Sequence, residues 1–278
     1  MRKNRLVAPV VKWVGGKRQL LEDLTPLFPK RVSSYCEPFL GGGAVLFALQ
    51  PNIAYVNDIN SELIQMYEAI RDHVEDLIIA LGEHPNEEKH FYTVRDWDRD
   101  KDAYRQLSQV QRAARIIYLN KTCYNGLFRV NNAGEFNTPF GHYKNPNIVN
   151  APTLRAVSAY FQKAQITFSC TDYAKVLENV KKGTFVYLDP PYDPVSETAN
   201  FTGYAKGGFD RVEQIRLRQC CDDLNRRGIK FMLSNSATDF IREQYAAYSI
   251  TIVKAKRAIN SNAAKRGQVD EVVVRNYE

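Results

Sequence analysis

A glycine-rich turn between two short strands constrains this chain more than any other stretch. Ser33 to Cys36 reads as a strand, Glu37-Pro38-Phe39-Leu40-Gly41-Gly42-Gly43 as a tight turn leading into a short helix, and Ile53 to Val56 as a second strand ending at Asn57-Asp58. Strand, glycine turn, helix, strand and then an acid is the order of a nucleotide-binding β-α-β unit. In such a unit the glycines admit a close backbone approach and the acid is placed for ribose hydroxyls. The turn departs from the dinucleotide fingerprint, because Leu46 stands where the third glycine belongs, and this speaks against a nicotinamide dehydrogenase. Trp13-Val14-Gly15-Gly16-Lys17 is no phosphate loop either: the upstream glycine is missing and Arg18 replaces the Ser or Thr.

Beyond this unit the pattern changes twice. A helix is expected from about Lys17 to Phe28. Ser61 to about Leu81 carries apolar residues at helical spacing, a second helix follows around Glu87 to Arg99, and a third starts at Ser108 with Gln111 as capping-box partner. Tyr124 to Tyr143 reads as a loop or hairpin rich in Asn, Gly, Pro and aromatics. Alternation resumes with a helix from Pro152 to Ala164 and strands at Ile166–Ser169 and Thr184–Leu188. A helix at Asp210–Arg226 and strands at Lys230–Leu233, Ser249–Val253 and Glu271–Arg275 complete it. The expected architecture is an α/β sheet domain interrupted by a mostly helical insert.

Charge is distributed in blocks. Met1 to Arg31 has 8 basic residues against Glu22 and Asp23; Glu62 to Tyr104 has 12 acidic against 5 basic; Arg105 to Asn150 has six basic residues against Glu135 alone. Such blocks suit a protein that holds a polyanion on one face and repels it from another. The five cysteines are odd in number and lack CxxC spacing, so neither a disulfide framework nor a metal site is expected, and a reducing cytoplasm is the simpler setting. No apolar run approaches the length of a membrane span.

The sharpest chemical signal is Asp189-Pro190-Pro191-Tyr192, directly after the apolar strand Phe185-Val-Tyr-Leu188. A turn carrying a solvated acid would also produce it, but ligand sites of open α/β sheets lie at the carboxyl ends of strands. The amine of a purine is a poor nucleophile because its lone pair is delocalised into the ring. The Asp189 carboxylate and the Pro190 carbonyl are each suited to accept one of its N–H groups and favour a pyramidal nitrogen. The prolines limit reorganisation, and Tyr192 offers a flat face for an extruded base.

Taken together, KWVGGKRQLL, EPFLGGGAVLF, NDIN, YNGLFRVN, GEFNTPFGHYKNP, DPPY, SETANFT and LSNS resemble the DNA adenine methyltransferase (Dam) family in its α class, from about Lys12 to Tyr277. The resemblance implies a Rossmann-like S-adenosylmethionine-dependent methyltransferase sheet. Residues 1–60 and 152–278 would form the catalytic, cofactor-binding domain and 61–151 a mostly helical DNA target-recognition domain. It implies methyl transfer to the N6 amine of adenine in duplex DNA, within GATC, by base flipping and direct in-line transfer. Asp189, Pro190 and Tyr192 would be catalytic. Cofactor contacts would come from Trp13, Lys17, Asp58 and Asp189, with Phe39, Gly41 and Gly43 shaping the pocket and Asp172 near the cofactor adenine. Phe201-Thr202 resembles a loop that closes over cofactor and target.

On the DNA side, Lys12 resembles the reader of the first guanine, and Leu127, Arg129, Pro139 and Tyr143 those of the outer pairs. Tyr124-Asn125 would fill the space left by the flipped adenine. His142 departs from the family, where an arginine is common. Lys254, Lys256, Arg257, Lys265 and Arg266 are expected to add phosphate contacts, and a solvated basic face explains them equally well. Two alternatives stay open: the same chemistry on cytosine N4 or RNA, and a DNA-binding module without catalysis. No metal and no membrane are implied, and a monomer is expected.

Overall fold

A computed structural model describes residues 3–195, 209–256 and 268–278. Phe201-Thr202, and the basic residues Arg257, Lys265 and Arg266, lie outside them. The strands are β1 (Ser34–Glu37), β2 (Ile53–Asn57), β3 (Gln165–Ser169), β4 (Thr184–Leu188), β5 (Lys230–Ser236), β6 (Ser249–Lys256) and β7 (Gln268–Arg275), in one sheet of order β3-β2-β1-β4-β5-β7-β6. The helices are α1 (Leu21–Leu24), α2 (Ala44–Leu49), α3 (Ser61–Asp72), α4 (Val74–Gly82), α5 (Glu88–Arg95), α6 (Lys101–Gln106), α7 (Gln109–Thr122), α8 (Ala151–Lys163), α9 (Tyr173–Glu178), α10 (Arg211–Arg226) and α11 (Asp239–Gln244). This is the expected α/β class with a mostly parallel, Rossmann-like sheet. By internal contacts the chain divides into one unit of residues 1–16, 41–52 and 58–170 and another of 17–40, 53–57 and 171–278.

The second unit holds the centre of the sheet. β1 pairs in parallel with β2 and β4, and β4 with β5, while β7 lies antiparallel between β5 and β6. Every residue of β4 is buried, as a strand covered on both faces requires. Val186 and Leu188 join Cys36, Leu217, Cys221, Leu233, Val272 and Val274 in one cluster, which Tyr173 and Leu177 of α9 close. On the alternate positions Phe185 and Tyr187 meet the edge of Phe28, at centroid separations of 5.8 and 6.4 Å. The single helix expected over Lys17–Phe28 is instead 3-10 helix at Lys17–Leu20, one α turn (α1) and 3-10 helix again at Thr25–Leu27. Pro26 has no N–H to continue an α-helical ladder.

The first unit is helical apart from β3. α3, α4 and α7 share a core of Leu63, Ile70, Leu77, Ile116 and Ile117, all buried, and Phe47, Tyr67, Phe161 and Phe168 form an aromatic cluster beside it. The periodic stretch from Ser61 to Leu81 proves to be two helices meeting at His73 (φ −137°), and Glu75 and Asp76 in the first turn of α4 are the start signal that periodicity alone passed over. The capping box at Ser108 is present as read, with Gln111 returning its side chain to the Ser108 N–H. No described helix is long and apolar enough to cross a membrane.

Candidate active site

In the second unit β4 ends at Asp189, and the side chains around it form a connected set. Lys17 Nζ lies 2.8 Å from Asp189 Oδ1, with the lysine side chain 3% exposed and the aspartate 18%. The same ammonium sits 4.7 Å from the centroid of the Tyr192 ring, and the Tyr192 hydroxyl donates to Glu271 Oε2 at 2.7 Å. Burial pushes the Asp189 carboxyl up to about 6; the Lys17 ammonium opposes this and Glu271 adds to it. A deeply buried lysine is tolerated because its charge is paired and lies over an aromatic face.

The turn itself is held by a second set of polar groups. Gln214 Nε2 donates to the Pro191 carbonyl at 2.8 Å, and Asn235 Nδ2 donates to Gln214 Oε1 at 3.0 Å. Asp193, one residue past Tyr192, accepts from Arg211 Nε at 3.0 Å and Thr238 Oγ1 at 2.7 Å; its N–H donates to Asn235 Oδ1 and its carbonyl accepts from Ser236 Oγ. These partners come from α10, the end of β5 and the turn before α11. Asn235 and Ser236 lie in the LSNS motif quoted above; Gln214 and Thr238 carried no local signal.

Phe39 packs on Tyr173 at 5.1 Å and on the edge of Phe209 at 5.9 Å. Asp172 caps α9 through the Ala174 N–H (2.9 Å) and forms a two-oxygen pair with Arg216, at 2.6 and 3.0 Å. That guanidinium holds the Asp172 carboxyl below the usual range. Asn57 ties the strand ends together, donating to the carbonyls of Pro38 and Thr171 and accepting from the Thr171 N–H, each at 3.0 Å.

In the first unit the glycine turn is clasped by Asp58. Oδ2 accepts the Gly41 N–H at 2.8 Å, Oδ1 accepts the Asn60 N–H at 2.9 Å, and Tyr67 donates its hydroxyl to the Gly41 carbonyl at 2.9 Å. Burial raises the Asp58 carboxyl above its ordinary range, and the two N–H donors oppose the rise. Gly41 has φ +48°, and a Cβ there would lie 2.8 Å from Cδ1 of Trp13; at Gly43, φ +67°, it would lie 2.9 Å from Cε2 of Phe47. Only glycine allows this turn to approach its neighbours so closely. Trp13 stacks on Phe128 with centroids 4.9 Å apart.

The same unit gathers the expected DNA-reading residues on one hydrogen-bonded framework. Buried Asn120 accepts the Lys12 N–H at 2.8 Å and donates to the carbonyls of Lys12 (2.8 Å) and Gly126 (3.1 Å). The Tyr124 N–H donates to the Pro139 carbonyl at 2.8 Å, and Thr138 Oγ1 donates to the Leu127 carbonyl at 2.7 Å. Asn125 takes a left-handed conformation, φ 57°, and the Tyr124 side chain is 55% exposed. Arg129, also exposed, is steadied by Asn137 Oδ1 at 2.8 Å. Asn86 Nδ2 donates to the Tyr143 carbonyl at 2.7 Å.

The hairpin is anchored from below by groups that sequence reasoning missed. Bridges at Cys123–Phe140 and Val130–Phe136 close it. Asp98 accepts the Phe136 N–H at 2.8 Å and pairs with buried Arg115 at 2.8 Å, and Arg99 donates to the Phe136 carbonyl at 2.7 Å. Arg115, one of the six basic residues of the 105–150 block, therefore spends its charge inside the fold. Among the described residues no group of three or more His, Cys, Asp or Glu is placed to hold a metal.

Residues 13–259 match the family of D12 class N6 adenine-specific DNA methyltransferases. Over its full length the chain is 40% identical to the type II methyltransferase M1.LlaDCHI of Lactococcus lactis subsp. cremoris, covering 98% of that protein. It is 39% identical to the type II methyltransferase M.MjaIII of Methanocaldococcus jannaschii, with 98% of this chain and 99% of the relative aligned. It is 36% identical to the DNA adenine methylase of Escherichia coli, with 98% and 95% aligned.

Proposed function

Because the chain belongs to the D12 class of N6 adenine-specific DNA methyltransferases, we propose that it methylates the adenine of GATC in duplex DNA, on a base flipped out of the helix. The framework joining Lys12 to the Tyr124–Gly126 turn and Tyr124 to Pro139 supports this reading most directly. It gathers a guanidinium, aromatic rings and apolar edges on one hairpin with the Lys12 ammonium tied to it, the set that reads base pairs in a groove and fills a vacated stack. Arg129 suits a bidentate grip on guanine O6 and N7, with Lys12 on the first guanine and Leu127, Pro139 and Tyr143 on the outer pairs. Tyr124 and Asn125 take the space of the flipped base.

The methyl donor is S-adenosylmethionine, which supplies a methyl group carried on a sulfonium. The residues fit it. Gly41 and Gly43 keep the turn bare and close against Trp13 and Phe47, where a Cβ would collide with those rings. Asp58 is a partly buried carboxylate beside that turn, with lone pairs beyond those its two N–H partners use. Phe39, Trp13 and Lys17 add aromatic faces and a cation. Asp172 would act near the adenine through the helix start and Arg216 pair that it organises.

Asp189 and Pro190 do the chemistry in this reading. Lys17 occupies Asp189 Oδ1, which leaves Oδ2 for one N–H of the adenine amine, and the Pro190 carbonyl accepts the other. Together they would hold the amine pyramidal with its lone pair free for the methyl group that the sulfonium would give up on leaving as a thioether, and the surplus proton would leave through Asp189. Tyr192 stacks on the base. Residues 1–60 and 152–278 serve as the catalytic domain and 61–151 as the target-recognition domain, acting as a monomer. Transfer of labelled methyl groups to duplexes differing only in GATC versus GTAC tests the specificity. Label on GATC alone is expected; equal label on both would discard the assignments of Lys12, Leu127 and Arg129.

A further inference from the structure

Glu271 stands in the middle of β7, where residues facing the core are valines. It is paired with Ser236 on one side and Val253 on the other, and its Oε2 receives the Tyr192 hydroxyl at 2.7 Å. Tyr192 in turn carries Lys17 over its ring, and Lys17 pairs with Asp189. Four side chains from three separate stretches of sequence thus form one string: Glu271, Tyr192, Lys17, Asp189. We propose that Glu271 is a positioning residue for methyl transfer, fixing the Tyr192 ring through its hydroxyl and placing a second negative charge near Asp189. The inference rests on the reading of Asp189 as acceptor of the amine proton.

The geometry gives Glu271 two separable effects. A tyrosine hydroxyl has one proton, and donating it to Glu271 adds a fixed point to a ring that Lys17, Asp189 and the turn also orient. The carboxylate also adds to the charge that Asp189 feels. The titratable groups bearing on Asp189 are Lys17 and the Tyr192 hydroxyl, which favour its ionised form, and Glu271, which disfavours it; desolvation keeps Tyr192 and Tyr187 protonated. Two like charges in one partly desolvated site raise the proton affinity of the group nearer the reaction. A general base needs that tuning, since proton removal is most efficient when its pKa approaches the working pH.

Single-turnover methyl transfer by the full chain, with saturating donor and DNA, is measured from pH 5 to 9 for wild type, Glu271→Gln and Glu271→Asp. Gln keeps an acceptor for the Tyr192 hydroxyl but no charge. The acid limb is expected to move to lower pH by about half a unit to one unit, as for one charge removed at intermediate dielectric. Asp keeps the charge but is one methylene shorter. Its acid limb is expected to stay near that of wild type while the alkaline plateau falls by up to roughly a hundredfold, the cost of misplacing a group by an ångström. Folding of both variants is checked by cooperative urea unfolding. Unshifted acid limbs in Gln and Asp alike would overturn the inference. Full activity in Asp189→Asn would instead overturn the reading beneath it.

Discussion

Replacing Asp58 by asparagine isolates what the clasp on the glycine turn contributes. Both carboxylate oxygens accept backbone N–H groups, from Gly41 at 2.8 Å and from Asn60 at 2.9 Å. Asparagine has one acceptor oxygen, so whichever N–H it keeps, its own amide meets the other donor. Losing a charge-assisted hydrogen bond to a buried donor costs about 1.5–3 kcal/mol. The neutral amide also escapes the burial that raises the Asp58 carboxyl, so the lower end applies, about 1.5 kcal/mol. If only the closed turn binds the donor, affinity for S-adenosylmethionine falls by about tenfold. Asp58→Ala, which frees both N–H groups and removes any ribose contact, should lose more. Calorimetric titration with S-adenosylmethionine reads this, with duplex binding measured in parallel and expected to change little. Affinity within about twofold of wild type for both variants would refute the clasp as a binding element.

Other consequences are equally open to test. Asn120→Ala removes the side-chain partner of three backbone groups, two part-buried ones of Lys12 and a buried one of Gly126, and should cost about 1–3 kcal/mol in urea unfolding, with GATC transfer falling more steeply than donor binding. Arg129→Gln should lose about 1–3 kcal/mol of discrimination at one outer pair, seen as transfer to duplexes altered only there. His84 faces His90 at 2.9 Å, and burial together with that neighbour holds it at about 4. A histidine depressed when folded stabilises the protein above its unfolded pKa near 6.5, and that stability is lost as pH falls toward 4. Set against His84→Gln, wild type should lose about 1 kcal/mol more stability between pH 7 and pH 5, after allowance for partial exposure, in urea melts at the two pH values, a comparison in which the opposite contribution of the raised Asp189 carboxyl cancels.

Local signals were legible and distant ones were not. The Ser108–Gln111 capping box and the buried run Phe185–Leu188 could be read because each depends on residues a few positions apart. The same locality exposed Asp189, Asp58 and the glycine turn. Asn120 clasps Lys12 across 108 positions and Tyr192 meets Glu271 across 79, and no periodicity encodes such pairs. The charge blocks misled at Arg115, which reads as a surface cation and is buried against Asp98. Asp172 and Asp58 were read as ligand groups alone, whereas both also hold backbone, because a carboxylate's partners cannot be read from its position in a motif. Helix ends failed where a proline or a second start signal lay inside a periodic run, at Pro26 and at Val74.

The central claim is that Asp189 accepts a proton of the adenine amine while Lys17 holds it in place. Single-turnover methyl transfer to a GATC duplex by Asp189→Ala, with duplex affinity measured on the same protein, tests it most directly. The account predicts a rate lower by about a thousandfold or more with DNA affinity within about threefold of wild type, because a preorganised acceptor acts on the transition state and scarcely on ground-state binding. A variant that transfers methyl groups at the wild-type rate would contradict it.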